Sequence, residues 1–169
     1  MKSRDVALIA IFLAIGAVLY AFTPNIGIIT PDTVVTFAAL AILLIRPKPL
    51  AGLGIGIVAG LLAMFFSKSS IAWFNVPAHA AGAWATALVA RGVGELKTGP
   101  VAWKPALGAL AYGVVSGGLF ITGLLAAGIF PVQVWLTAGW GQVLLSTLSS
   151  IVICMILYLP AKALYERTG

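Results

Sequence analysis

The sequence predicts an all-α membrane protein: a six transmembrane helix bundle with N- and C-termini cytoplasmic. Two observations carry this. Hydrophobic residues make up 62% of the 169 residues and charged residues only 8%, where a soluble domain carries roughly a quarter charged. The basic residues sit in scattered pairs at the ends of apolar runs, which is the topology signal of membrane proteins. Spans of ~20 residues leave room for about six helices in one membrane domain over 1–169, with no soluble domain. The net charge of +6 is too dispersed for a nucleic-acid surface, so no nucleic acid is expected as a partner.

The first span covers 5–22. MKSR before an apolar run resembles a signal peptide, but Leu19 stands where cleavage after Ala21 needs a small residue. The run therefore reads as a retained span. Ala7, Ala10, Ala14, Ala17 and Ala21 lie three or four apart and form a strip of small side chains. Such a strip lets another helix approach closely, either within this bundle or on another subunit. A loop with Asn25 and two prolines leads to span two, 32–45, where Asp32 suits a helix N-cap. RPKP is a basic turn into span three, 50–66, whose Gly52, Gly56 and Gly60 read as an internal packing face.

SKSSIAW forms the next loop, and Asn75 with Pro77 marks the start of span four, 76–93. Ala78, Gly82, Thr86 and Ala90 share one face of it. The connection Gly94 to Lys104 reads as a loop. Span five, 105–127, holds Tyr112, Ser116 and Thr122 as its polar members. Span six, 132–159, carries Trp135, Gly139, Gln142, Ser146 and Ser149 as one polar and aromatic stripe, and Pro160 is expected to end or bend it. Cys154, the single cysteine, lies in an apolar run and packs as a small apolar residue.

Threading six spans from a cytoplasmic N-terminus places Lys2, Arg4, Arg46, Lys48, Arg91, Lys97, Lys104, Lys162 and Arg167 inside and Lys68 outside. Nine of ten basic residues then obey the positive-inside rule. Asn25, Asp32, Lys68, Trp73, Asn75 and Trp135 fall at the outer surface, with His79 one turn below it and Gln142 near mid-bilayer. These residues, with Trp140 as a weaker member, are the candidate lining of an outward-facing pocket. Polar side chains held inside lipid are costly and mark functional sites.

No carboxylate pair, metal-ligand cluster or phosphate loop occurs, so binding is favoured over reaction. His79 is expected to have no Cys, Asp or Glu nearby, which makes it a poor metal site and leaves acid–base work without a second group. Tryptophans in the lining suit a flat aromatic ligand. Burying an indole-sized group of ~200 Å² gives roughly 5 kcal/mol, and nanomolar binding needs about 12 kcal/mol. Polar contacts must supply the difference, with Lys68 as candidate partner of a carboxylate and Asp32 or Asn75 of an ammonium.

Six short helices, cytoplasmic termini and Ala10 and Ala14 in the run AIFLA resemble the S component of an energy-coupling-factor (ECF) transporter. ITPDTVVTFAALAILL and FNVPAHAAGAW look most like the tryptophan-transporter group within that family. The resemblance implies a high-affinity binding subunit in a prokaryotic plasma membrane that takes up L-tryptophan from outside. It implies that loops Thr23 to Pro31 and Ser67 to Phe74 close over the ligand. It further implies that Ala10 and Ala14 face a transmembrane coupling subunit driven by two cytoplasmic ATPases. The chain has no G-x-x-x-x-G-K-[ST], and no cofactor of its own is expected, ATP being used only by the partners. The rival readings are an S component for biotin, riboflavin or thiamine, a stand-alone secondary transporter, a small membrane enzyme using His79, and a structural subunit.

Overall fold

The computed structural model describes residues 1–23, 31–99 and 101–167. Six long helices dominate them: α1 Ser3–Phe22, α2 Thr33–Ile45, α3 Pro49–Phe66, α4 Asn75–Gly92, α5 Lys104–Ala126 and α6 Val132–Arg167. Four of these, α1, α3, α5 and α6, are long and apolar enough to cross a membrane. α2 is apolar but only 13 residues long, and α4 is diluted by Asn75, His79, Thr86 and Arg91.

α2 is the hub. TVVTFAALAILLI is apolar all round, as a fully enclosed helix must be, and every residue from Thr33 to Leu44 is buried. Asp32 caps it as expected: its Oδ1 accepts the backbone N–H of Val35 at 2.9 Å. Arg46 ends it in a left-handed conformation with φ 53°. The other helices pack around it and tie to it with hydroxyl groups. Thr33 Oγ1 donates to the Gly16 carbonyl of α1 at 2.8 Å, and Thr36 Oγ1 donates to Ser150 Oγ of α6 at 2.9 Å.

The glycine face of α3 lies flat on α4. A Cβ on Gly56 would meet His79 O at 2.5 Å, and one on Gly60 would meet the Val76 Cα at 2.6 Å. The face is internal packing, and it fixes the backbone that carries Asn75 and His79. The alanine strip of α1 behaves differently. Ile9, Leu13, Gly16 and Ala17 turn inward, while Ala10 and Ala14 are exposed. They are not part of the internal packing of this chain.

Two expectations need correction. The connection between α4 and α5 is not all loop: Lys97–Thr98 (β1) pairs antiparallel with Val101–Ala102 (β2), with Gly99 at φ 59° in the turn. Nor does the last helix end at Pro160; it runs on to Arg167. Side chains beyond the proline hold this extra length. Lys162 Nζ lies 3.2 Å from Glu95 Oε1, and Tyr165 OH donates to Asp5 Oδ1 at 2.8 Å.

Those contacts belong to a charged cluster at one end of the bundle. Glu95 also faces the fully enclosed Lys104 Nζ at 3.8 Å and accepts from Tyr158 OH at 3.3 Å. Burial pushes the Glu95 carboxyl upward, but the Lys162 hydrogen bond and the charges of Lys162 and Lys104 outweigh this and hold it below the usual carboxylate range. The other end of the bundle holds the candidate site.

Candidate binding site

The C-terminal ends of α1 and α3, the N-terminal ends of α2 and α4 and the facing parts of α5 and α6 enclose a cavity of about 340 Å³. That is within the size range of small-molecule sites. Asp32, Asn75 and His79 form one side, Lys68 and Ser69 stand at the α3–α4 connection, and Gln142, Ser146, Thr147 and Ser150 come from α6. Tyr20, Phe66, Phe120, Ile121 and Val143 supply the aromatic and apolar wall. The lining therefore combines polar groups with aromatic and apolar ones.

The cavity exists because small residues draw the helices together below it. Gly82 admits the Tyr112 ring and Ser116 from α5; a Cβ there would lie 2.8 Å from the ring. Tyr112 is thereby set beneath His79. Its OH lies 3.3 Å from His79 Nδ1, and the rings meet edge to face at 5.8 Å. On the other side of the imidazole, Nε2 lies 3.9 Å from Asp32 Oδ2. Asp32, His79 and Tyr112 thus line up across three helices, His79 and Tyr112 both buried.

This corrects the expectation that His79 has no carboxylate neighbour. Asp32 and His79 are far apart in sequence, and only the packing of α2 against α4 joins them. Among the described residues no group of three metal-ligating side chains is present. Asn75 does not cap α4. A 3-10 turn, Ala72–Phe74, runs straight into the helix, and Asn75 Nδ2 donates back to the Ala72 carbonyl at 2.8 Å.

Of the expected site residues, Asp32, Lys68, Asn75, His79 and Gln142 meet in the cavity. Asn25 lies outside the described residues. The three tryptophans do not line it. Trp73 is 61% exposed and packs edge-on against Phe74 at 5.3 Å. Trp140 fits against Gly118 of α5 and meets Trp135 edge-on at 6.1 Å. The reason for Trp135 is local: Trp135–Gly139 forms a π turn. An inserted residue rotates what precedes it by about 100° relative to an α-helical register, so Trp135 leaves the Gln142 face. Tyr20, Phe66 and Phe120 provide the aromatic lining instead. Tyr112 and Ser116 had a sequence signal as i,i+4 polar members of an apolar span; Tyr20, Phe66 and Phe120 had none.

Comparison of the chain with protein-family models, with curated proteins and with solved structures gives no match.

Proposed function

We propose that this chain is the substrate-binding subunit of an ECF-type importer and that its ligand is L-tryptophan. The cavity carries the reading. It combines aromatic and apolar lining residues with polar ones, and it lies at the end where, of ten basic residues, only Lys68 sits. By the positive-inside rule that end faces outward. On this reading six helices cross a prokaryotic plasma membrane and both termini are cytoplasmic. α2 spans only ~20 Å, short of the ~30 Å hydrocarbon core, and crosses enclosed by the other helices. α4 directs Asn75, His79 and Thr86 inward.

The exposure of Ala10 and Ala14 supports their assignment to a transmembrane coupling subunit, with two ATPases supplying the energy. The chain itself is then neither an enzyme nor a cofactor carrier. The test is calorimetric titration of the purified chain with L-tryptophan, biotin, riboflavin and thiamine. Tryptophan should saturate while the vitamins stay silent. A vitamin that saturates where tryptophan does not would move the chain to a sister group.

A second reading is a proton-coupled carrier acting alone, which the Asp32–His79 contact favours. It requires uptake into vesicles by this chain without partners, collapsed by a proton uncoupler.

A further inference from the structure

Among the lining residues of the cavity Asp32 is the one carboxylate. Its two oxygens differ. Oδ1 is held by the backbone N–H of Val35 at 2.9 Å. Among the described residues Oδ2 has only His79 Nε2, at 3.9 Å, beyond hydrogen-bond range. The side chain is 26% exposed and lines the cavity. Asn75, the other candidate for a cation, donates its amide N–H to the Ala72 carbonyl and offers a neutral oxygen where Asp32 offers a charge.

We propose that Asp32 Oδ2 is the ammonium subsite of the cavity and that His79 is its proton-linked competitor, so that loading a primary ammonium expels a proton from Nε2. This rests on the amino-acid reading of the cavity. The two cations are alternatives because one carboxylate cannot balance both in an enclosed site. Tyr112 OH, 3.3 Å from Nδ1, fixes the ring so that Nε2 is the nitrogen turned to Asp32. Among the described residues, the following groups face the pair. α1 contributes Tyr20, α5 contributes Tyr112, and the α3–α4 connection contributes the exposed Lys68. α3 offers Phe66, and α6 offers only neutral side chains such as Gln142 and Ser146.

The sign follows from competition. Where His79 is protonated in the empty protein, the ligand must displace that proton, so affinity rises with pH. One linked proton gives at most about tenfold in Kd per pH unit.

The probes are L-tryptophan, tryptamine, which keeps the ammonium, and indole-3-propionate, which lacks it. Calorimetry at several pH values, in buffers of different ionisation enthalpy, reads both Kd and proton release. Tryptophan and tryptamine should bind with a Kd that falls as pH rises and with protons released to buffer. His79→Gln should flatten the profile. Asp32→Asn keeps a good N-cap residue and removes the charge; it should weaken both amines more than tenfold and should not weaken indole-3-propionate, whose carboxylate the Asp32 charge can only repel. Equal affinity for indole-3-propionate and tryptophan, or a Kd flat from about pH 5 to 8, overturns the inference and leaves the indole reading intact. Silence of all three probes overturns both.

Discussion

Valine at position 56 is expected to break the seam between α3 and α4 and to remove ligand binding with it. Gly56 gives no room: the first carbon of any side chain falls 2.5 Å from His79 O and 2.6 Å from the Ala80 Cα. Both are backbone atoms of a helix that is itself clamped by α5, so relief requires the helices to part. Forcing extra atoms into a packed seam costs typically about 1–3 kcal/mol. Because the clash is with the peptide of His79, the displacement falls directly on the binding site. Thermal unfolding in detergent checks the stability arm, and tryptophan titration checks the binding arm. Gly54→Val is the control. Position 54 is exposed, and a Cβ there meets nothing within 4 Å, so melting temperature and affinity should both stay at the wild-type values. A stable, binding-competent Gly56→Val protein would mean that α3 and α4 are not packed as described.

Tryptophan in place of Ala14 is expected to separate binding from transport. Ala14 is exposed on α1 while its neighbours Leu13, Gly16 and Ala17 are buried. A large side chain at 14 therefore points away from this chain's interior and leaves the cavity alone. If a coupling subunit docks there, an indole holds the helices apart, and the small-residue contact is lost. Uptake in cells expressing the whole importer should fall more than about tenfold, equivalent to ~1.4 kcal/mol at the interface. L-tryptophan binding by the purified chain should stay within about twofold, as for other exposed substitutions. Unchanged uptake would move the docking face elsewhere. Lost binding would show that α1 shapes the cavity more than its exposed face implies.

The two ends of the bundle were legible in the sequence to different degrees. Apolar runs bounded by Arg46, Lys48, Arg91, Lys104 and Lys162 define six helices, because lipid-facing residues and flanking charges are local signals. The i,i+4 glycines of α3 and the Asp32 cap are local too, and both appear in place. The Asp32–His79–Tyr112 alignment is not local. Each partner comes from a different helix, and only the notch at Gly82 and the burial of α2 bring them together. Trp135 was misplaced because a stripe counted at 3.6 residues per turn assumes an uninterrupted α-helix, and the π turn breaks that count. Pro160 misled in the opposite direction. A proline removes one backbone donor, but the Lys162–Glu95 and Tyr165–Asp5 contacts, between segments remote in sequence, keep the helix going to Arg167.

The cavity enclosed by the six helices is proposed to hold an indole amino acid. That proposal is tested most directly by filling the cavity. Ser146 lines it from α6, and Leu148, two residues on, is 56% exposed on the outside of the same helix. L-tryptophan should be titrated calorimetrically into the wild-type chain, Ser146→Phe and Leu148→Phe, each first shown to melt cooperatively. The account predicts saturable one-site binding to wild type and Leu148→Phe, and no saturable heat with folded Ser146→Phe. Undiminished binding by Ser146→Phe, or no binding by the wild-type chain, would contradict it.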